Sequence, residues 1–381
     1  MKIAFYAPMK SPHHSVPSGD RTMARLLMSA LRKAGHEVVL ASQLRSYEGR
    51  GDSVRQQRIR DSAAKTCKSL LQRYRKLAVS ECPDLWFSYH LYHKAPDLLG
   101  PEVSQNLGIP YVVAEASHAP KQASGPWSES YVAAREAILV ASRVIALNPV
   151  DIACVNELLG THQGKVSEVS LLAPFIYTRR IRRWSRKLEN RSQLASEIKL
   201  DPQLPVLICV AMMRRRAKLS SYTLLAKSLK LIEEKPWQLL IIGDGEASDE
   251  VWELYREFMP GRVKFLGLHT GQNLAQYLGL ADVFVWPAID EAWGMVFLEA
   301  AAAGLPCVAG ANAGVSQVVA HERSGLLVPA ADPQAFAEAI KSLLDNPEKR
   351  RELSKGASAK AIGEHDLESA ALQLNAILEG L

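Results

Sequence analysis

Two glutamates eight positions apart follow a predicted buried strand. Glu291 and Glu299 flank Gly294, directly after the apolar run Val283 to Trp286. Gly294 permits a tight turn, so a helix is predicted to begin near Met295, with its free N–H groups and positive dipole end favouring a phosphate. Glu299 has apolar neighbours in that helix, so its carboxylate needs hydrogen-bond donors. Sugar hydroxyls could supply them, and so could an internal Lys or Arg.

A basic segment follows a second predicted strand. Arg214, Arg215, Arg216 and Lys218 come directly after the apolar run Pro205 to Val210. Four cations at the end of a strand favour an anionic ligand. A basic loop that only faces solvent is the alternative interpretation.

A glycine-containing loop, Pro17 to Arg21, precedes the first predicted helix. Gly19 makes it a candidate loop for a phosphate or for an acceptor, and Arg21 could reach an acid or phosphate on that acceptor. Asp20 has a second interpretation, because aspartate is a favoured N-cap residue.

Other kinds of chemistry lack their sequence signals. The five cysteines form no C-x-x-C pair, and no D-x-D pair stands out, so we expect no metal and no cofactor beyond a donor substrate. Gly243 begins G-x-G-x-x-S, a weak dinucleotide motif that does not lie on the first strand, and no P-loop is present. A dehydrogenase is therefore a distant hypothesis.

Apolar runs of strand length alternate with helical patterns along the whole chain, which predicts parallel sheets covered by helices on both faces. The arrangement occurs twice, with a joint near 174–203, where prolines flank a run of arginines. The fold class is therefore α/β, with two doubly wound, Rossmann-like domains. Ligands of such sheets bind at the carboxyl ends of the strands. With two such domains, the cleft between them is the expected site.

The segment from Asp290 to Pro306, with its E-x7-E spacing, resembles the nucleotide-sugar signature of glycosyltransferase family 4. Further segments match that family in order: Ile3 to Pro8 with Gly19, Gly35 to Val38, Gly243 to Gly245, Phe265 to Gly267, Ala281 to Val283 and Ser324 to Val328. The resemblance implies the GT-B architecture, in which two Rossmann-like domains face a central cleft. It implies an acceptor-side domain at 1–175, a donor-binding domain at 176–365 and a last helix, 366–381, that crosses back to the first domain.

The resemblance also implies roles for the candidate residues. Glu299 would bind the ribose hydroxyls, Glu291 would contact the donor sugar, and backbone N–H groups of Gly294, Met295 and Val296 would bind sugar and phosphate oxygens. Arg214 and Lys218 would bind the diphosphate, with Arg215 and Arg216 as competitors for the arginine role. Cations fixed there would stabilise the departing diphosphate, by about 3–4 kcal/mol for one well-placed donor. Gly19 and Gly243 would belong to the nucleotide-sugar site.

A histidine near a strand end of the acceptor domain is common in this family, and His118 is the candidate here. Glu115 and Ser117 lie nearer the usual offset. His90 and His93 are further candidates, and a structural role is the alternative for each histidine.

Composition limits the partners. Apolar residues make up 48% of the 381 residues and the net charge is +6, as in an ordinary soluble protein with a mildly basic surface. Between Arg50 and Lys76, nine Lys or Arg face two Asp, with apolar residues interleaved. This pattern predicts a basic amphipathic helix that could lie on anionic lipid, or only a solvated face. We expect a cytoplasmic protein, peripheral on the inner membrane face at most, with no nucleic-acid partner.

Together with the resemblance, these observations predict a glycosyltransferase that moves a sugar from a nucleotide-diphosphate sugar to an acceptor hydroxyl. The resemblance implies that the anomeric configuration is retained. The acceptor would be a glycan or a lipid-linked molecule, in polysaccharide or glycolipid synthesis. The alternatives are a GT-B sugar-nucleotide epimerase, which needs no acceptor, and a non-catalytic nucleotide-sugar-binding protein.

Overall fold

The structure, a computed structural model, describes residues 1–16, 18–161, 169–186, 191–258, 261–291, 294–312 and 314–381. The chain divides into two compact units. Unit 1 is Met1–Ala173 together with Leu367–Leu381, and unit 2 is Pro174–Asp366.

Unit 1 contains one parallel six-stranded sheet in the order β2-β1-β3-β4-β5-β6. Its strands are β1 (Lys2–Tyr6), β2 (Glu37–Leu40), β3 (Leu85–Leu91), β4 (Tyr111–Ala116), β5 (Arg143–Ala146) and β6 (Ser170–Leu171). The helices between them are α1 (Gly19–Lys33), α2 (Ser53–Tyr74), α3 (Gly100–Leu107), α4 (Ser128–Leu139) and α5 (Ile152–Gly160).

Unit 2 contains a second parallel six-stranded sheet, in the order β12-β11-β10-β7-β8-β9. Its strands are β7 (Val206–Val210), β8 (Gln238–Ile242), β9 (Val263–Phe265), β10 (Val283–Trp286), β11 (Cys307–Gly310) and β12 (Gly325–Val328). Its helices are α6 (Thr178–Ser185), α7 (Arg191–Glu197), α8 (Ala217–Lys230), α9 (Ser248–Leu254), α10 (Gly271–Leu278), α11 (Met295–Ala303), α12 (Val315–Val318), α13 (Pro333–Asp345) and α14 (Pro347–Glu364). The last helix, α15 (Leu367–Leu378), belongs to unit 1 and packs against α1.

The core of each unit follows from the strand sequences. Parallel strands carry helices on both faces, so they are apolar along their length rather than alternating. Phe5 of β1 and Phe87 of β3 stack with ring centroids 5.6 Å apart in the core of unit 1. In unit 2, β8 is buried at every position and Trp286, at the end of β10, is fully buried.

Each sheet has one point at which the strand order reverses. In unit 1 this point lies between β1 and β3, and in unit 2 between β7 and β10. In an open doubly wound sheet, the crevice at the carboxyl ends of the two strands flanking this reversal is where ligands bind. The topology therefore predicts that the residues following β1, β3, β7 and β10 bind ligands.

The predicted fold class is confirmed, since both units are parallel α/β domains. The apolar runs located the strands to within a few residues, although β3 continues to Leu91 and not only to Ser88. The two-residue strand β6 was not predicted, because Ser170–Leu171 is too short to show a pattern. Among the helices in the described ranges, none has the length and apolar character needed to cross a bilayer.

Candidate active site

An ion pair lies where the strand order of unit 2 reverses. Lys218 is in the first turn of α8, after β7, and Glu291 is in the loop after β10. Lys218 Nζ donates to Glu291 Oε2, and the two side chains are 27% and 17% exposed. Trp286 Nε1 lies 3.3 Å from the same carboxylate oxygen, and Lys218 Nζ lies 5.4 Å from the centre of the Trp286 ring. The topology thus brings together two residues that the sequence selected separately.

One face of α8 holds the loops on both sides of this ion pair. Ser221 Oγ accepts a hydrogen bond of 2.9 Å from the backbone N–H of Ile289, in the loop after β10. The Tyr222 hydroxyl donates to the carbonyl of Ala211, at 2.7 Å, in the loop after β7. Tyr222 also packs edge-on against Trp286, with ring centroids 4.9 Å apart. Sequence reasoning missed Ser221, Tyr222 and Trp286. The first two could have been found, because they lie three and four positions after Lys218 and therefore share its face of α8.

The loop that carries Glu291 has an unusual backbone. Ala288 and Asp290 both have positive φ, 55° and 49°, which costs free energy in residues with a Cβ. Asn312 Nδ2 donates to the Ala288 carbonyl at 2.9 Å and helps to hold this conformation. Gly294 also has a positive φ, 57°, and a Cβ there would lie 2.4 Å from the Phe297 ring. The predicted glycine turn is present, while Ala292 and Trp293 of the E-x7-E segment lie outside the described residues.

Helix α11 begins directly after that turn, at Met295. The first turn of a helix leaves backbone N–H groups without intrahelical partners, and here Met295 and Val296 supply them. Both residues are only partly buried. This helix start therefore offers donors for an anionic or hydroxylated ligand, as the sequence predicted.

Glu299 lies one turn further along α11, between the buried residues Leu298 and Ala300. Burial raises the pKa of its carboxyl to about 7. Within the part of the chain that the structure describes, this carboxylate has no hydrogen bond and no ion pair. The internal salt bridge that the sequence left open is therefore absent from the described residues, and the carboxylate is available to a ligand.

The structure sets one of the three consecutive arginines apart. Arg215 is engaged in an exposed ion pair with Glu250, with an N–O distance of 3.2 Å. The side chains of Arg214 and Arg216 are exposed, and neither has an ion pair among the described residues. Arg216 directly precedes α8, with a φ of 61°. Arg214 and Arg216 are therefore both free to bind an anion, and Arg214 is the one that the sequence selected.

The loop after β8 packs so closely against the loop after β7 that position 243 has no room for a side chain. A Cβ at this position would lie 1.9 Å from the carbonyl oxygen of Ala211, and one at Gly245 would lie 2.3 Å from that of Met213. The two loops are also joined by a hydrogen bond of 2.9 Å from the Met213 N–H to the Asp244 carbonyl. The glycines allow the loop after β8 to lie against the loop that leads to Arg214.

In unit 1, Gly19 opens α1, and a Cβ there would meet nothing within 4 Å. The interpretation of Asp20 as the N-cap is wrong, because Ser18 Oγ accepts from the Arg21 N–H and takes that role. Asp20 instead faces His90, with Oδ1 3.0 Å from Nδ1. Arg21 donates to the carbonyls of His14 and Ser15, at 2.9 and 3.1 Å. Pro17 of this loop lies outside the described residues.

His118 lies beyond the end of β4, where its ring stacks on Tyr131 of α4 at 5.6 Å. Partial burial and the nearby Arg135 lower the pKa of His118. Its ring makes no hydrogen bond within the described ranges. Ser117, which lies nearer the offset usual in the family, donates to Asp151 Oδ1 at 2.9 Å. His93 packs edge-on against Trp127, with ring centroids 5.8 Å apart.

Part of unit 2 matches a known protein family, and the chain has curated relatives. Residues 190–360 match the family model described as glycosyl transferases group 1. The lipopolysaccharide core biosynthesis glycosyltransferase LpsD of Rhizobium meliloti is 32% identical over 183 residues, which are 46% of this chain and 52% of that protein. A D-inositol 3-phosphate glycosyltransferase of Salinispora tropica is 40% identical over 100 residues, which are 26% of this chain and 21% of that protein. The chain thus spans about half or less of the length of these curated relatives.

Solved structures share the fold over the whole chain. The Anabaena Alr3699/HepE complex with UDP superposes with a TM-score of 0.73, at 17% identity, over 100% of both chains. Sucrose-phosphate synthase from Thermosynechococcus elongatus gives a TM-score of 0.69, at 21% identity, over 99% of this chain and 98% of that one. The fold is therefore the GT-B fold. Residues 190–360, which match the glycosyl transferases group 1 model, carry the Lys218–Glu291 ion pair.

Proposed function

We propose that the protein is a glycosyltransferase that moves a sugar from a nucleotide-diphosphate sugar to an acceptor hydroxyl, with retention of configuration, in polysaccharide or glycolipid synthesis. The observation that carries the proposal is the Lys218–Glu291 ion pair at the reversal point of the unit 2 sheet, inside the matched domain. Unit 2 would bind the donor, and unit 1 would bind the acceptor. No other cofactor and no metal enter the proposal.

The side chains of unit 2 suit each part of such a donor. The unpaired Glu299 carboxylate would accept hydrogen bonds from the ribose hydroxyls, as two carboxylate oxygens suit a vicinal diol. Glu291 would bind hydroxyls of the transferred sugar. The N–H groups of Met295 and Val296 would bind phosphate or sugar oxygens at the start of α11.

The cations would act on the leaving group. When the bond between the sugar and the diphosphate breaks, negative charge grows on the departing phosphate oxygen. Lys218 and Arg214 would stabilise that charge more strongly in the transition state than in the bound donor, and such differential binding accelerates the reaction. The acceptor oxygen would bond to the anomeric carbon on the face that the diphosphate leaves, without a protein nucleophile. The proton of the acceptor hydroxyl would pass to the departing phosphate oxygen.

A panel of nucleotide sugars tests the proposal. We expect one of UDP-glucose, UDP-N-acetylglucosamine, GDP-mannose and ADP-glucose to raise the melting temperature, since a ligand at 100 times its Kd adds about 2.7 kcal/mol to the free energy of unfolding. UDP-glucose is included because a solved complex of Alr3699/HepE contains it. The stabilising donor should then release its nucleoside diphosphate on incubation with the protein.

Two results would contradict the proposal. If no nucleotide sugar stabilises the protein, the proposal that unit 2 binds a nucleotide sugar is wrong. If the stabilising donor is converted to an isomeric nucleotide sugar in the absence of any acceptor, the protein is an epimerase.

A contact with anionic membranes is a second, separate proposal, and it rests on α2. Ala63, Cys67 and Leu70 of this helix are buried in the core of unit 1, so they are unavailable for insertion into lipid. Val54, in its first turn, is 59% exposed. The exposed face carries Arg55, Arg58, Lys65, Lys68 and Arg73. Five cations beside one exposed large apolar side chain make the proposed contact mainly electrostatic.

We expect salt-sensitive co-sedimentation with phosphatidylserine vesicles at low ionic strength and none with phosphatidylcholine vesicles. Each Lys or Arg near an anionic surface contributes about 1 kcal/mol, which salt screens. The triple substitution Arg58→Glu, Lys65→Glu and Lys68→Glu should abolish binding. Lys341→Glu, on α13 of unit 2, is the control. Wild-type protein that stays in the supernatant with anionic vesicles would show that the face is only solvated.

A further inference from the structure

Unit 1 has its own charged pair at the point where its strand order reverses. Asp20 follows β1 in the first turn of α1, and His90 lies near the carboxyl end of β3. Asp20 Oδ1 and His90 Nδ1 are 3.0 Å apart. The position corresponds to that of the Lys218–Glu291 pair in unit 2, because each pair joins the two strands that flank the reversal.

The backbone around His90 is strained together with that of Glu115. The β3–β4 register pairs Tyr89 with Ala114 and Leu91 with Ala116, so His90 and Glu115 lie opposite each other. Both have positive φ, 63° and 60°. Such conformations cost free energy in residues with a Cβ, and they cluster at functional sites.

The charges around His90 are mostly negative. Burial acts to lower the pKa of His90, but its hydrogen bond with Asp20 and the charges of Glu115 and Asp151 outweigh burial, so the pKa is raised. Burial raises the pKa of Glu115. Lys10 also acts on Asp20, and its effect is the weakest of those that lower the pKa of that carboxyl.

One nitrogen of His90 is available. Nδ1 is engaged with Asp20, whereas Nε2 has no hydrogen bond within the residues that the structure describes. The side chain of His90 is 20% exposed, so a ligand can reach it. Asp20 therefore acts as a positioning residue, which orients the imidazole and leaves Nε2 for a ligand.

This set of groups fits a hydroxyl better than an anion. A hydroxyl can donate to the acceptor-only carboxylates and can either donate to or accept from an imidazole nitrogen. A phosphate or carboxylate has no proton to donate, and it would be repelled by Asp20, Glu115 and Asp151. The neighbouring Arg21 keeps its positive charge, but its Nη1 donates to the carbonyls of His14 and Ser15, and this one cation is outnumbered by the three carboxylates.

We propose that His90, oriented by Asp20, and Glu115 bind the hydroxyl groups of a neutral, polyhydroxylated acceptor, a sugar that carries no phosphate or carboxylate near its reacting end. The inference rests on the proposed glycosyltransferase function and deepens it by naming the acceptor class. It differs from the expectation, drawn from the sequence, that the loop before α1 receives an acid or phosphate through Arg21.

Paired acceptors test the class. The wild-type protein is incubated with its stabilising nucleotide sugar and with D-glucose, D-mannose, D-galactose and myo-inositol, each beside its monophosphate and, for the sugars, its methyl glycosides. Mass spectrometry then identifies any glycosylated product. We expect products from neutral members only. Products from the phosphorylated members, or donor cleavage without transfer to any neutral member, would overturn this inference alone, whereas failure to cleave any donor would overturn the proposed function as well.

Variants of His90 test the residue. His90→Asn keeps an amide facing Asp20 and tolerates a positive φ, but it removes the Nε2 position, whereas His90→Gln extends an amide toward that position. We expect the acceptor KM to rise about tenfold or more in His90→Asn and in Asp20→Asn, and less in His90→Gln, with the donor KM changed less than twofold. Asp61→Asn on α2 is the matched control. An equal rise in both KM values, or an unchanged acceptor KM in the Asn variants, would overturn the assignment.

Discussion

Lys218→Met is expected to lower kcat about 100- to 1,000-fold, with a much smaller change in the donor KM. Removing a single donor that stabilises developing charge costs about that factor in other enzymes. Methionine keeps most of the side-chain length beside Trp286 while removing the charge. Because the charge on the diphosphate is largest in the transition state, the loss should fall on kcat. Steady-state release of the nucleoside diphosphate measures both constants.

Arg215→Met provides the control for this experiment. Arg215 carries the same kind of charge three positions away, but it is engaged with Glu250 at the surface. The kcat of the Arg215→Met variant should stay within about twofold of the wild-type value. A Lys218→Met enzyme with unchanged kcat and a raised donor KM would show that Lys218 binds the ground state only.

The sequence predicted Lys218 and Glu291 separately, but it could not predict their contact. They are 73 positions apart, and their neighbourhood depends on β7 lying beside β10 in the sheet. Apolar runs identify strands, yet the order of the strands is decided by how the helices cross over the sheet. The same topology brings Asp20 to His90, 70 positions away. Asp20 was therefore open to a local interpretation, as a helix cap, that the structure corrects.

Local patterns predicted more when the partner was close in sequence. Gly294 was correctly placed in a tight turn, because a glycine between a strand and a helix has few other reasons to be there. The sequence selected Arg214 but could not show that Arg215 is engaged elsewhere, since that depends on Glu250 in another helix. The amphipathic pattern of α2 was correctly identified, but the pattern alone could not show that the core of unit 1 covers its apolar face.

Glu299 shows how burial alone can set a residue apart. Its neighbours in α11 predicted a poorly solvated carboxylate that needs hydrogen-bond donors, and burial in the structure raises the pKa of that carboxyl to about 7. In the unfolded chain the same carboxyl has the ordinary value of 4.5. Between these values the folded protein binds more protons than the unfolded one, so this group lowers stability as the pH rises from 4.5 to 7 and makes a constant unfavourable contribution above 7.

Glu299→Gln should therefore have two opposite effects. The free variant should melt at a higher temperature than the wild type at pH 8 and at the same temperature near pH 4, because glutamine carries no charge to desolvate. Its affinity for the nucleoside diphosphate should fall by roughly 10- to 100-fold at pH 8, since hydrogen bonds to a charged group contribute about 1.5–3 kcal/mol. Melting curves and isothermal titration calorimetry measure the two effects.

The pH dependence of binding separates Glu299 from the titration of the nucleotide itself. Hydrogen bonds from ribose hydroxyls favour the ionised carboxylate, so wild-type affinity should fall as the pH drops from 8 to 6, through the raised pKa of about 7. The nucleotide titrates equally in both proteins, so the affinity of the Glu299→Gln variant should fall only by the part that is due to titration of the nucleotide.

Glu338→Gln, at an exposed position of α13, is the control and should follow the wild type in melting and binding. A Glu299→Gln protein with unchanged nucleotide affinity at pH 8 would show that this carboxylate does not contact the ribose. A stability gain without any loss of affinity would mean that Glu299 destabilises the fold of unit 2 and takes no part in nucleotide binding.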